Sequence, residues 1–307
     1  MKFSKVKKYL LSPKALMCRL IILFPKLIKS DAHYLKLKYY VNFRRDLNLE
    51  SPRTFNEKLQ WLKLHDRRPE YTKMVDKVEA KKYVASIIGE DHIIPTLAVY
   101  DRAEDIDFDA LPDQFVLKCS HDSGGVVICT DKSKLDREAV ARKLSKGLKS
   151  NYFYQTREWP YRNVKPRILA EQYMSNDGEV GLTDYKVHNF NGTPEVILVC
   201  KDRFGEKGMT EDFYNGQWEH LDISRIAHPN ASTTEGKPTE LDEMLCFSKE
   251  LSKNIPFVRT DFYTIGHKVY FGELTFYPAS GMKPFVPDEW DYKIGAMLQL
   301  PVDNQHN

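Results

Sequence analysis

Cysteine is scarce in this sequence: five residues among 307, at positions 18, 119, 129, 200 and 246. Their number is odd and no Cys-x-x-Cys pair occurs, which excludes a disulfide framework and a cysteine-built zinc site and implies reduced thiols in a cytoplasmic core. No apolar run is long enough to cross a bilayer, the longest near the start being Leu20-Ile-Ile-Leu-Phe24. A secretory leader is not expected either, because Lys14, Arg19 and Lys26 interrupt that stretch and no small-residue cleavage site follows it. Internal repeats and low-complexity segments are absent. Without a helix-turn-helix, zinc-finger or RNP pattern, nucleic acid is not an expected partner.

What is present is an ordinary globular composition, 42% hydrophobic and 12% aromatic, with enough chain for one large domain or two lobes around a cleft. The net charge is only +3, but it is unevenly placed. Residues 1–45 hold twelve Lys or Arg against the single acid Asp31, so the remaining 34 basic residues face 42 acidic ones. Mixed with Leu, Ile, Phe and Tyr, those basic residues predict amphipathic helices. Such helices either lie on an anionic membrane surface, each nearby Lys or Arg contributing about 1 kcal/mol, or pack their apolar side on the main domain.

Thr54-Phe-Asn-Glu57 has the form of a capping box and predicts a helix with Phe55, Leu59 and Leu62 on one face. Asp76 is expected to cap the next helix, which ends at Gly89, and Ile93–Tyr100 reads as a strand. Phe115-Val-Leu-Lys118-Cys-Ser-His-Asp-Ser-Gly-Gly-Val-Val-Ile-Cys-Thr130 reads as strand, polar glycine loop, strand. Backbone N–H groups of such a loop can wrap phosphate oxygens while a lysine on the incoming strand supplies charge; a plain hairpin turn is the alternative. It is not a Walker A loop, since the lysine precedes the glycines. A helix is expected from Asp136 to about Lys149, and Arg167–Met174 reads as a strand passing into a linker. Residues 182–190 and 195–200 around Asn191-Gly192 predict a hairpin, with Asp184, Lys186 and His188 on one face. Residues 205–240 read as a polar, surface-exposed or mobile stretch, and 241–251 as a helix.

The chemistry concentrates in Phe257–Pro278, two alternating runs joined by Gly266-His-Lys. A two-residue loop would set Asp261 opposite Gly272 and send Glu273 to the other face. A three-residue loop with a glycine bulge sets Asp261 opposite Glu273 and Arg259 opposite Thr275. The second register gathers the polar groups on one face and is the expectation. Paired carboxylates there either hold Mg²⁺, which accepts one or two carboxylates plus substrate phosphates, or form a solvated face that Arg259 neutralises.

In this order, Lys118, a glycine loop, Glu171, Lys186, Arg259-x-Asp261 and Gly-Glu273-x-Thr-x-x-Pro278 resemble the ATP-grasp enzymes. Phe55-Asn-Glu-Lys58, Leu111-Pro-x-x-Phe-Val-Leu-Lys118 and Phe271-Gly-Glu-Leu-Thr-Phe276 resemble, more narrowly, the TupA-like ATP-grasp family, named for teichuronopeptide synthesis and often found with genes for bacterial surface polysaccharides. The match spans roughly residues 35–300. The resemblance implies an α/β (α+β) fold of two antiparallel-sheet lobes with ATP between them: a basic helical segment over 1–45, then a catalytic domain over 46–307, its small lobe about 92–172 and its large lobe about 173–307.

By that resemblance Lys118 and Lys186 contact the nucleotide phosphates, and the loop with Ser120, His121, Ser123, Gly124 and Gly125 closes over them. Glu171, Gln172 and Met174 face adenine and ribose. Asp261, Glu273 and Thr275 hold Mg²⁺, while Arg259 stabilises the transferring γ-phosphoryl group. Arg203 and Lys283 are candidate substrate contacts, as are Arg157, Arg162 and Lys165, with exposed structural arginines as the alternative. The implied activity is a cytoplasmic, ATP- and Mg²⁺-dependent carboxylate–amine ligase joining an amine or amino acid to an acidic polysaccharide or sugar precursor through an acylphosphate. A glycosyltransferase using Asp105-Ile-Asp107, a kinase on the same nucleotide site and a non-catalytic membrane-associated scaffold are the rival readings.

Overall fold

The computed structural model describes residues 13–122, 124–176, 181–201, 208–226 and 228–301. Two helices open the described chain, α1 (Pro13–Ile22) and α2 (Asp31–Phe43). The Ser30 side chain caps α2 by accepting from the His33 N–H, and α2 buries Tyr34, Leu35 and Tyr39 beside Leu47 and Met282. The packing alternative therefore holds for α2. On α1 and the turn after it, Leu16, Met17, Leu20, Leu23, Phe24 and Leu27 stay exposed, Leu27 by 78%.

Helix α3 (Phe55–His65) starts in the predicted capping box: Thr54 Oγ1 accepts from Glu57 N, and the Glu57 carboxylate accepts from Thr54 N. Phe55, Leu59 and Leu62 share its buried face, with Phe55 edge-on to Phe190 and Phe257 at 5.8 and 5.0 Å. Asp76 does not cap the next helix directly. It ends α4 (Glu70–Val75), and its carboxylate accepts from Val78 N, so α5 (Glu79–Ile88) begins a turn later and stops at Gly89, where φ is +98°.

Four antiparallel strands form the smaller sheet: β1 (Thr96–Tyr100), β2 (Phe115–Cys119), β3 (Val127–Cys129) and β4 (Ile168–Gln172), in the order β1-β4-β2-β3. One face packs Phe115, Leu117, Ile168 and Ala170 against Val140 and Leu144 of α6 (Arg137–Leu148), the helix that Asp136 caps as predicted. By the period of two, Lys118 and Glu171 emerge on the opposite face. The short α7 (Tyr152–Thr156) lies between α6 and β4.

The larger sheet runs β10-β9-β5-β6-β7-β8, again antiparallel, from β5 (Asp184–Phe190), β6 (Thr193–Lys201), β7 (Thr210–Asn215), β8 (His220–Leu221), β9 (Phe257–Ile265) and β10 (Lys268–Thr275). The β5–β6 turn is Asn191-Gly192 with both φ angles positive, the geometry expected of a two-residue hairpin. One face carries Val187, Ile197 and Phe262 and is covered by α8 (Leu241–Leu251); α9 (Glu289–Met297) packs against α3. The other face is aromatic at one end, where Phe190 and Phe257 meet Phe55, and charged toward Lys186 and Asp261.

The 205–240 stretch departs from its sequence reading. Glu211, Asp212, Phe213 and Tyr214 are buried in β7: the Asp212 carboxylate accepts from Ala231 N at 3.0 Å, and Asn230 donates to the main-chain carbonyl of Glu211.

Candidate active site

The β9–β10 hairpin reaches the expected register by a different device. Ile265 pairs with Lys268, so the loop is the two residues Gly266 and His267, both with positive φ. That loop alone would send Glu273 to the wrong face. A bulge between Phe271 and Glu273 leaves Gly272 as the extra residue, and beyond it Glu273 pairs with Asp261 and Thr275 with Arg259. Glycine suits the close approach there: a Cβ on residue 272 would meet the Tyr263 ring at 3.0 Å and the Asp261 carbonyl oxygen at 3.1 Å.

On this face Asp261, 1% exposed, accepts from Arg259 Nε at 2.6 Å and from Lys186 Nζ at 2.6 Å. Lys186 also pairs with Asp184 at 2.5 Å. Arg259 donates further to Glu273 Oε1 and Thr275 Oγ1, each at 3.2 Å, and the Glu273 side chain remains 44% exposed. Burial alone would raise the Asp261 carboxyl, but Arg259 and Lys186 hold it below the usual carboxylate range. Burial likewise opposes the charge of Lys186, and Asp184 and Asp261 overcome it, raising its pKa. His188 is driven well below the ordinary imidazole value by burial and then by Arg259 and Arg225, so it stays neutral and packs, its Nδ1 3.1 Å from Lys186 O.

The smaller sheet contributes a second charged group. Glu171 bridges two lysines, Lys118 at 2.5 Å and Lys81 of α5 at 2.6 Å. Burial pulls the Glu171 carboxyl up, yet Lys118 and Lys81 together bring it below its ordinary value. Between the sheets, Lys77 donates its backbone N–H to Ser120 O at 3.1 Å and its amine to Asp122 O, while burial lowers its pKa. Arg167 spans the same seam to Asp76 at 2.6 Å and Glu79 at 3.1 Å. Lys77, Lys81, Lys118, Glu171, Tyr161 and Glu273 line one pocket, so the charged faces of both sheets open onto a common space.

The other sequence candidates are placed as follows. Ser120 and His121 are buried and turn inward, Ser120 Oγ toward Lys165 O at 3.3 Å and His121 Nε2 toward Ser150 O at 3.1 Å, which leaves Gly124 and Gly125 as the open part of the loop. Ser123 and Arg203 lie outside the described residues. Gln172 is exposed, its side chain on the face of β4 opposite Glu171, and Met174 is half-buried. Lys283 is exposed beside Asn56, which donates to its carbonyl.

Arg157 is not a substrate contact. It is buried, donates to the Pro25 and Ile28 carbonyls, pairs with Asp31 and stacks on Tyr34, so it anchors the N-terminal segment. Lys165 pairs with Asp101 at the surface, and Arg162 lies over Phe153. Asp107 caps the Asp109 and Ala110 N–H groups in an exposed turn, which leaves the Asp105-Ile-Asp107 metal motif without a site around it.

Sequence reading missed Lys77 and Lys81. Their spacing of four on a helix predicted from Asp76 was the available signal, and it looks the same as a solvated helix face.

Two antiparallel sheets that turn lysines and carboxylates toward one pocket define an ATP-grasp fold. The TupA-like ATPgrasp family matches residues 57–299, and the chain belongs to that family. Among solved structures it is similar to D-alanine–D-alanine ligase from Bacillus anthracis complexed with ATP, at 16% identity over 73% of this chain and 64% of that one, with a TM-score of 0.43. It is also similar to the D-alanine–D-alanine ligase of Helicobacter pylori, at 16% identity, 74% and 61% coverage and a TM-score of 0.39. For D-cycloserine synthetase DcsG the figures are 13% identity, 73% and 70% coverage and a TM-score of 0.39. The chain spans less than two thirds of the length of the two D-alanine ligases. No curated protein matches it.

Proposed function

We propose that this protein is an ATP- and Mg²⁺-dependent carboxylate–amine ligase that modifies a bacterial surface polysaccharide or its sugar precursor. The observation that carries the reading is the shared pocket, where Lys118 and Lys77 from one side meet Glu273 from the other, with Asp261, Lys186 and Arg259 behind it. In this reading Lys77, Lys81 and Lys118 balance the nucleotide phosphates, and Glu171, released from Lys118, accepts from the ribose. Three carboxylates, Asp184, Asp261 and Glu273, face two cations, Lys186 and Arg259, and the negative surplus suits a divalent ion. Asp261 and the exposed end of Glu273 would hold Mg²⁺, which supplies charge neutralisation along the phosphates.

Arg259 and Lys186 stabilise the negative charge on the γ-phosphoryl oxygens. A carboxylate oxygen of the acceptor attacks the γ-phosphorus, the bond to the bridging oxygen breaks, and ADP leaves. The amine then attacks the carbonyl carbon of the acylphosphate; phosphate departs and the nitrogen loses a proton. The polysaccharide setting rests on the family resemblance alone. The exposed apolar residues from Leu16 to Leu27, flanked by Lys14, Arg19, Lys26 and Lys29, support a second element of the proposal, seating on an anionic membrane surface. No helix among the described residues is long and apolar enough to cross a membrane.

Thermal melting with ATP plus Mg²⁺, against a nucleotide sugar plus Mn²⁺, tests the reading. ATP–Mg²⁺ at one hundred times its dissociation constant should stabilise the fold by about 2.7 kcal/mol. Stabilisation by the nucleotide sugar alone would overturn it.

A further inference from the structure

Farther along the charged face of the large sheet stands a cation with no task in the scheme above. Arg225, in the segment after β8, is 8% exposed, as are Lys186 and Arg259. Its guanidinium lies 5.5 Å from the Phe213 ring centroid and 5.3 Å from that of Phe285. The facing carboxylate, Glu211, approaches Arg225 Nε only to 3.9 Å, beyond hydrogen-bonding distance. His228 Nε2 stays 4.0 Å from the other Glu211 oxygen. Arg225 Nε and Glu211 Oε2 are both buried with no hydrogen-bond partner among the described residues. Arg225 Nε is thus a buried guanidinium donor left unsatisfied, which is costly unless something else is received there.

Its location relates it to the phosphoryl-transfer residues. Glu211 pairs with Cys200 and Cys200 with Asp184, the partner of Lys186. Phe213 shares its row across the sheet with Leu198, Lys186, Asp261 and Glu273. Arg225 and Arg259 are each close enough for their charge to act on His188.

We propose that Arg225 is the arm that receives the acceptor's carboxylate, holding it beside Arg259 with the Phe213 and Phe285 rings as an apolar wall for the adjoining carbon skeleton. The assignment rests on the ligase reading for its place in the reaction. Glu211 favours a monoanion, because a carboxylate adds one negative charge beside it where a dianionic phosphate adds two. The planar fork of arginine also matches a carboxylate with two parallel hydrogen bonds, which a lysine does not reproduce.

The test reads Arg225 directly. In ¹⁵N-labelled protein the Arg225 Nε–Hε resonance, assigned by its loss in Arg225→Lys, is followed during titration with sodium D-glucuronate, D-glucose, inorganic phosphate and sodium chloride at matched ionic strength. A saturable shift with D-glucuronate, absent with D-glucose and chloride, is the expected result. An unmoved resonance, or one that follows phosphate or chloride as strongly as D-glucuronate, overturns the proposal and leaves Arg225 as packing between two rings. In parallel, the melting shift with ATP–Mg²⁺ should be the same in wild type and Arg225→Lys; its loss in the variant alone would put Arg225 in the nucleotide site and overturn the assignment. Absence of that shift in wild type would instead sink the ligase reading, while the D-glucuronate response at Arg225 would stand or fall separately.

Discussion

Gly272→Ala is a one-carbon change that tests how the site is assembled. The added Cβ would sit 3.0 Å from Tyr263 Cε2 and 3.1 Å from the Asp261 carbonyl oxygen. The tyrosine ring can swing away, but the carbonyl belongs to the neighbouring strand and moves only with it. Overpacking of this kind costs about 1–3 kcal/mol. At roughly 2–4 °C per kcal/mol for a chain approaching this size, the melting temperature should fall by several degrees. The strand can also relieve the clash by losing its bulge, which returns Glu273 to the opposite face, so ATP–Mg²⁺ stabilisation should fall with it. Deleting Gly272 is the control: without the extra residue, Glu273 pairs with Asp261 in unbroken register. The deletion should retain more ATP–Mg²⁺ stabilisation than the alanine variant. If Gly272→Ala melts and binds like wild type, the bulge does not place Glu273 and the register argument is refuted.

Glu273→Gln should fold normally, since the side chain is 44% exposed, yet lose ADP formation; full turnover would remove Glu273 from the catalytic centre. The lowered carboxyl of Glu171 contributes stability that is complete above the unfolded value near pH 4.3 and lost as pH falls through the folded value. In Lys81→Met/Lys118→Met the buried carboxyl stands alone, its pKa rises, and chemical denaturation should show the variant gaining stability from pH 7 to pH 5, where the Glu171 contribution in wild type stays level and falls only at lower pH. Replacing Leu23, Phe24 and Leu27 by Ser should reduce co-sedimentation with anionic liposomes at least about tenfold, equivalent to 1.4 kcal/mol; equal binding would remove the membrane element.

Much of the fold was legible because local signals agreed with the final packing. The Thr54–Glu57 capping box, the Asn191-Gly192 turn, the Asp136 cap and the 241–251 helix depend on neighbours in sequence, and each stands where it was read. The Asp261–Glu273 pairing was also foreseen, but its cause was not. One extra residue can be spent in the loop or in the strand with the same effect on register, and only the close approach of Tyr263 and Asp261 to Gly272 distinguishes them. Strand β7 escaped because Thr-Glu-Asp at its start reads as surface, whereas the Asp212 carboxylate is met by Ala231 N and the Glu211 carbonyl by Asn230. For Ser120 and His121 the sequence carried no sign of their partners: their side chains hold the loop to the Lys165 and Ser150 carbonyls, which are distant in the chain.

The seam between the two sheets has a thermal consequence. The hydrocarbon of the small sheet, around Phe115 and Leu117, and that of the large sheet, around Val187 and Phe262, form separate clusters. Among the described residues, charge and amide join the small sheet to the helices packed on the large one: Lys81 to Glu171, Arg167 to Asp76 and Glu79, and Lys77 to Ser120 and Asp122. Parting the sheets therefore wets polar surface, and polar surface lowers heat capacity where apolar surface raises it. Unfolding either sheet should show the strongly curved temperature dependence of buried hydrocarbon. Rocking one sheet against the other should show almost none, so that ionic strength, far more than temperature, sets how far the cleft stands open.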